Sequence, residues 1–279
     1  MTGGTAVVTG GAGFIGSHVA ASLLADGYRV VVIDDLSAGK PENVPAGADL
    51  VQVDVAERPA LDAAIDAAHP EAIYHLAAQA SVTASMADPA RDCQVNVQGT
   101  LNVLEAATRH RVPVIFTSTG GALYGNEAPL PTPEGRIPDP RAPYGASKWA
   151  GEAYVATWAG MFGLAHTICR FGNVYGPRQS PHGEAGVVAI FSYHLYAGTQ
   201  PTIFGGGTPT RDYIHVDDVV RFMRMATGTR GVFNVGTGVE ANVLSLYATL
   251  QRAAGTTIEP LHAPLRPGEL LRSCLDTTR

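Results

Sequence analysis

Lysine is nearly absent from this chain. Of its 19 basic residues, 17 are arginines and only two, Lys40 and Lys148, are lysines. Arginine is a planar fork that keeps its charge, whereas lysine is a compact ammonium on a flexible stem. The two lysines are therefore candidates for tasks that a guanidinium performs badly. Positive charge is scarce overall. The 19 basic and 25 acidic residues leave a net charge of −6, which argues against a nucleic-acid partner, because a phosphate backbone demands a positive surface. Cysteine is scarce too: Cys93, Cys169 and Cys274 are odd in number and far apart, forming neither a disulfide framework nor a zinc spacing, a pattern that suits a reducing cytoplasm. No apolar run approaches the roughly eighteen residues of a membrane span. Met1-Thr2-Gly3-Gly4 lacks the basic start of a secretory signal. The histidines do not cluster with carboxylates at a ligand spacing, so no metal site is expected.

What is present is core-building material: 279 residues, 46% hydrophobic and 16% charged, enough for one large α/β domain or two modest ones. Short β-rich runs at Val7-Val8, Arg29 to Ile33, Leu50 to Val53, Ala72 to Leu76 and Val114 to Phe116 alternate with helical periodicity over Phe14 to Ala25, Arg58 to Ala68 and Pro89 to His110. This alternation predicts right-handed crossovers and a doubly wound parallel sheet. Six prolines between Asn126 and Pro143 predict a loop. A helix from Tyr144 to Gly160 and a strand from Ala165 to Phe171 follow it. Beyond Asn173 the pattern breaks into glycine-rich turns, short strands and two or three helices. Residues 1–172 are read as a dinucleotide-binding domain of Rossmann type and 173–279 as a smaller substrate-binding lobe, with room for a strand and a helix of the second to return to the first.

The run Val7-Val8-Thr9-Gly10-Gly11-Ala12-Gly13-Phe14-Ile15-Gly16 lies between the first strand and the first helix. Glycine at 10, 13 and 16 suits a sharp turn, the approach of a pyrophosphate to bare N–H groups, and close helix–sheet packing. The second strand ends in Ile33-Asp34-Asp35. A carboxylate there accepts from the adenosine ribose hydroxyls and repels a 2′-phosphate, which favours NAD(H) over NADP(H). Asp54, after the third strand, is placed to bond the adenine, and Lys40 follows the Asp34 turn close to the ribose or phosphates.

Tyr144-Gly145-Ala146-Ser147-Lys148 sets a phenol and an ammonium four apart, on one face of a helix. A phenol near its reference pKa is a poor base at neutral pH. A nearby ammonium, together with the positive nicotinamide of NAD⁺, is expected to favour phenolate. A lysine also reaches ribose hydroxyls with a point donor.

With these residues in view the chain resembles the extended short-chain dehydrogenase/reductase family, and within it the NAD-dependent nucleotide-sugar epimerases of the UDP-glucose 4-epimerase type. The resemblance runs from Val7 to Leu275. It rests on the glycine run and on His75-Leu76-Ala77-Ala78-Gln79, Asn96-Val97-Gln98-Gly99-Thr100, Ser118-Thr119-Gly120-Gly121-Ala122-Leu123-Tyr124-Gly125 and Tyr144 to Lys148. Asn173-Val174-Tyr175-Gly176-Pro177-Arg178, Arg211-Asp212-Tyr213 and Arg266-Pro267-Gly268-Glu269 extend it.

The resemblance implies that a bound NAD⁺ takes a hydride from C4 of a UDP-hexose while Tyr144 removes the O4 proton. The resulting 4-keto sugar turns over and receives the hydride on its other face. Lys148 then lowers the Tyr144 pKa and holds the ribose, and Thr119, or failing it Ser118, shares the proton path. Gly10, Gly13, Phe14, Ile15, Gly16, Asp34, Asp35, Lys40, Asp54, Val55, Leu76, Ala77, Ala78, Asn96, Ser118, Tyr144, Lys148 and Phe171 would line the cofactor. Ser81, Thr119, Asn173, Val188, Arg211, Arg266, Glu269 and Ser273 would line the substrate, the two arginines as phosphate clamps. The family's 4,6-dehydratases carry an Asp-Glu pair after the hydroxyl, where this chain has Gly120, Gly121 and Ala122. A large aromatic near position 273 excludes an N-acetyl group in epimerases of this type, and Ser273 leaves room for one. A UDP-uronate 4-epimerase or decarboxylase and a non-catalytic NAD sensor are the alternative readings. The helices Pro89 to His110 and Tyr144 to Gly160 imply a homodimer. Relatives continue some tens of residues past Ser273-Cys274-Leu275-Asp276, so stability of the capping lobe is the property expected to be most exposed.

Overall fold

The computed structural model describes residues 3–182, 186–265 and 270–279. Its centre is a sheet of seven parallel strands: β1 (Thr5–Thr9), β2 (Arg29–Asp34), β3 (Asp49–Gln52), β4 (Ala72–His75), β5 (Val114–Thr119), β6 (Thr167–Phe171) and, from far downstream, β10 (Gly231–Val235). Their spatial order is β10-β6-β5-β4-β1-β2-β3. The inner strands are valine- and isoleucine-rich and buried on both faces, as parallel strands between two helix layers must be.

The helices are α1 (Phe14–Ala25), α2 (Arg58–Ala68), α3 (Val82–Ala87), α4 (Pro89–Cys93), α5 (Gly99–His110), α6 (Pro143–Phe162), α7 (Val187–Ala197), α8 (Val216–Met225) and α9 (Val243–Ala254). One layer puts α1 and α8 over Val8, Val30, Val32 and Ile115. The other puts α2, α5 and α6 over Val7, Ile33, Ile73 and Phe116. Because β1 has β2 on one side and β4 on the other, the strand order reverses there, and in such sheets ligands sit beyond the carboxyl ends of the strands at that point.

One feature departs from the sequence reading. Pro89 to His110 is not one uniform α-helix, because Gln94–Gln98 forms a π turn between α4 and α5. The wider turn holds Asn96, whose amide bonds the backbone of Gln79 and the side chain of Ser147. Across residue 172 the second lobe sends a helix and a strand back to the first domain. Val216, Val219, Val220 and Met223 recur at helical spacing, so α8 lays an apolar stripe on the first core, and β10 pairs with β6.

The rest of the second lobe is small. β7 (Asn173–Tyr175), β9 (Thr210–His215) and β11 (Glu240–Asn242) form one sheet, and β8 (Thr202–Phe204) and β12 (Leu261–Ala263) another. Phe191, Leu195, Ile203 and Tyr247 form its core. Asp212, wholly buried, joins the lobe to the chain's last segment by accepting from Thr237 N–H (2.8 Å), Thr237 Oγ1 (2.7 Å), Gly238 N–H (3.1 Å) and Leu275 N–H (3.3 Å). The proline loop is tied in by Thr132, which pairs with Leu275.

Candidate active site

β1 ends at the glycine loop. Gly10 has φ +71°, and a Cβ there would lie 2.6 Å from the Ala77 nitrogen, while a Cβ on Gly16 would lie 2.2 Å from the Gly10 oxygen. The loop is therefore a cradle that side chains would fill. The α1 N-cap, Gly13, offers no side-chain acceptor, so the first-turn N–H groups of Phe14, Ile15 and Gly16 keep the unmet donor capacity of a helix start, which suits a pyrophosphate. Leu76, Ala77 and Ala78 continue from β4 at the strand-order reversal, with Leu76 N–H bonded to Thr9 O at 3.0 Å.

Asp34 is buried at the end of β2. Its oxygens accept from Ala12 N–H and Leu36 N–H, both at 2.9 Å, which fixes the carboxylate against the loop and leaves lone pairs for ribose hydroxyls. Asp35 turns away instead, accepting from Ser37 N–H at 3.0 Å. Lys40 has an exposed side chain, and its backbone N–H donates to Ala12 O at 2.9 Å. Asp54 accepts from Arg91 at 2.7 Å, so a guanidinium flanks the position expected to meet the adenine. Val55 is buried against Gly99, and Phe171 is buried at the end of β6, where its carbonyl accepts from Gly120 N–H at 2.7 Å.

The proline loop delivers the chain to α6. Pro143 opens the helix, where its missing N–H has no cost, and places Tyr144 and Lys148 one turn apart. The Thr119 hydroxyl lies beside the Tyr144 phenol and favours its ionised form, and its oxygen accepts from Ala122 N–H at 3.1 Å. Ser118 takes no part in this pairing. It is buried and donates to Glu152 Oε1 at 2.5 Å, inside a network in which Arg170 holds Glu152 in a two-pronged ion pair and donates to Tyr124 at 2.7 Å. Of the two candidate hydroxyls, Thr119, the first choice, lies on the phenol's side, and Ser118 is turned to Glu152.

In the free protein burial dominates the phenol. It pushes the Tyr144 pKa up to about 12; the Asp92 carboxylate adds to the rise and the Thr119 hydroxyl opposes it. Lys148 is buried with its Nζ 4.8 Å from the centre of the Phe116 ring. Desolvation brings its pKa down to about 8, against the pull of Asp92 and Glu152. His75 lies next to it, buried between Thr9 Oγ1 (2.7 Å) and Thr100 Oγ1 (3.1 Å), and is driven down to about 3 by burial and by the Lys148 charge. Asn96 is buried, and its amide is committed to Gln79, Asp92 and Ser147, so it braces the site.

The substrate side is built from the second lobe. Asn173 Oδ1 is buried and lacks a hydrogen-bond partner among the described residues, an acceptor open to a ligand donor, and a Cβ on Gly121 would lie 3.7 Å from it. Ser81 caps α3 by accepting from Ala84 N–H at 2.9 Å, and Val188 stands half-buried in the first turn of α7. Arg211 on β9 donates to Thr210 O at 2.8 Å. Ser273 is buried in a crevice shared with Gly120, Gly121 and Tyr124. Arg266 and Glu269 lie outside the described residues. Asp92, Glu152 and Arg170 escaped the sequence reading. The one available signal was that Glu152 follows Lys148 by four, on the helix face that carries Tyr144.

The fold and this site define a dinucleotide-dependent enzyme in which a phenol, an ammonium and a hydroxyl converge beyond a glycine cradle. The chain belongs to the NAD dependent epimerase/dehydratase family, whose model matches residues 6–236. It is 46% identical to a UDP-glucose 4-epimerase of Mycolicibacterium smegmatis, over 98% of this chain and 90% of that protein. It is similar to the crystal structure of a UDP-glucose 4-epimerase with UDP-glucose from Thermotoga maritima, with a TM-score of 0.96 and 45% identity over 98% and 90% of the two chains. A Thermus thermophilus UDP-glucose 4-epimerase in complex with NAD gives a TM-score of 0.91 and 43% identity over 98% and 90%.

Proposed function

We propose that this enzyme interconverts UDP-hexoses by epimerisation at C4, with NAD retained and recycled in place. The observation that carries the reading is the convergence of the Tyr144 phenol, the Thr119 hydroxyl and the buried Lys148 on one site. The residues fit NAD: the Gly10 and Gly16 cradle receives a pyrophosphate, Asp34 the adenosine ribose, and Lys148 the second ribose. The hydride chemistry at C4 is what bound NAD supplies, along with a positive charge when oxidised. Tyr144 accepts the O4 proton and returns it, and the Thr119 hydroxyl beside it shares the proton path. A phenol held near 12 by burial releases its proton at neutral pH only when a positive charge is set beside it, so proton removal is confined to the loaded site. Asn173 accepts from a substrate hydroxyl, and Arg211, with Arg266, binds the diphosphate. Dehydration is disfavoured because residues 120–122 carry no acid or base, and a side chain at 120 would strike Leu275 at 2.6 Å.

Ser273, small and beside two glycines, favours acceptance of UDP-GlcNAc and UDP-GalNAc as well. Among the described residues no helix is long and apolar enough to cross a membrane. We place the enzyme in the cytoplasm, where its unpaired cysteines stay reduced. We further propose a homodimer through the helical segment Pro89 to His110 and α6, the latter exposing Trp149, Tyr154, Met161 and Phe162.

Incubation with UDP-galactose and no added cofactor is expected to yield UDP-glucose, and the acetylated pair is expected to interconvert. Failure to convert any UDP-sugar by protein that carries NAD overturns the reading in favour of a sensor. Release of CO₂ from UDP-glucuronate moves it to a decarboxylase. Light scattering after gel filtration measures the oligomer, and a monomer sinks the dimer proposal.

A further inference from the structure

A buried charge is costly unless it is paired or hydrogen-bonded, so the buried charged side chains can be accounted for one by one. Among the described residues they are Asp34, Asp92, Lys148, Glu152, Arg170 and Asp212. Glu152 and Arg170 neutralise each other. Asp34 is held by backbone N–H groups, and Asp212 by three of them and a hydroxyl. That leaves one anion, Asp92 on α4, and one cation, Lys148 on α6.

The surroundings of Asp92 fix it against the helix that carries the catalytic pair. Its Oδ1 accepts from Gln79 Nε2 at 2.9 Å and from Asn96 Nδ2 at 3.1 Å. The same Asn96 amide bonds Ser147 Oγ at 3.0 Å, and Ser147 sits between Tyr144 and Lys148 in the helix. Gln79 is locked in turn, accepting from Ser81 N–H at 2.6 Å. Both partners are neutral amides, so they orient the carboxylate without cancelling its charge.

We infer that Asp92 is a positioning residue of this enzyme, the counter-charge that keeps Lys148 an ammonium next to Tyr144. The inference rests on the reading of Tyr144 and Lys148 as the reacting pair. The groups that face Lys148 are Asp92 from α4, His75 from β4, the Phe116 ring from β5, and Tyr144 and Glu152 from its own helix. His75 is neutral, and Glu152 is offset by Arg170. Asp92 is accordingly the larger of the two charges that hold the Lys148 proton against desolvation, and it also opposes ionisation of Tyr144. Its removal should make both groups more acidic together.

The lysine poverty of the chain makes this measurable. Protein labelled at lysine Cε gives two side-chain NMR signals, from Lys148 and from exposed Lys40. In Asp92→Asn, which keeps an oxygen to accept from Gln79 and Asn96, the Lys148 titration is expected to move down by about one pH unit. Lys40 should stay in place, and the alkaline limb of kcat/KM should move with Lys148. Asp92→Glu, which retains the charge, is expected to hold the Lys148 midpoint near wild type. Should the Asn variant fail to fold, Asp92→Ser, with space for water beside the two amides, carries the same test. A Lys148 midpoint unchanged in a folded neutral variant overturns the inference, because a brace alone would alter stability without moving the titration. The NMR readout needs no turnover. Wild-type protein that converts no UDP-sugar would refute the proposed function while the titration still decides the role of Asp92.

Discussion

At the residue scale the site turns on which of two adjacent hydroxyls meets the phenol. Successive side chains of a strand point to opposite faces, so Ser118 and Thr119 cannot share a task. Ser118 faces inward to Glu152, and Thr119 faces Tyr144. Thr119→Ala is expected to lower kcat by about 100-fold, the lower end of what a positioned proton-sharing group contributes. Ser118→Ala should leave kcat within a few-fold and lower the melting temperature instead, since it strips a donor from buried Glu152. Steady-state kinetics and a thermal melt on both variants separate the two roles. Lys148→Arg tests the other half of the site. A compact ammonium sits over the Phe116 ring, and a guanidinium fork there should lose most of the turnover while the protein still folds. Near-wild-type turnover in that variant would show that a point charge is not required.

At the element scale the strand–turn–helix unit of β1 and α1 was legible in the sequence because its causes are local: a valine run, spaced glycines, and a helix start without a cap. Gly16→Ala is a direct probe, since its new Cβ falls 2.2 Å from the Gly10 oxygen. We expect a loss of about 1–3 kcal/mol in stability and purification with little bound NAD, checked by urea unfolding and by assay of released cofactor. The π turn at Gln94–Gln98 was not legible. Its cause is the set of bonds from Asn96 to Gln79, 17 residues back, and to Ser147, 51 residues ahead. The sequence left room for a strand and a helix of the second lobe to return to the first; that β10 and α8 are the ones that do so depends on which distant surface their apolar faces find.

At the scale of the whole molecule, neutral buried histidine sets a limit on acid stability. His75 joins β1, β4 and α5 through Thr9 and Thr100, and its pKa is lowered from 6.5 to about 3. Above about pH 6.5 neither the folded nor the unfolded state protonates it, and it adds no pH dependence. Below that the unfolded chain binds a proton that the folded state refuses, so stability falls as pH drops toward 3, by roughly 5 kcal/mol at most from this residue. His166, lowered to about 4 by burial and by Arg230, acts in the same direction. The urea midpoint of wild type is expected to fall between about pH 7 and about pH 4.5. The fall should be smaller in His75→Asn, and equal slopes in the two proteins would remove His75 as the cause.

The sequence by itself determined the parallel sheet, the dinucleotide loop with Asp34, and the Tyr144–Lys148 pair. Each is written within one or two turns of chain as a repeating or closely spaced pattern. The tertiary structure alone decided that Thr119 rather than Ser118 lies beside the phenol, that burial and Asp92 raise the phenol's pKa, and that Asp92 and Lys148 are both buried around it. Those outcomes depend on desolvation and on charges brought together from separate helices and strands. Neither is set until the chain has closed around them.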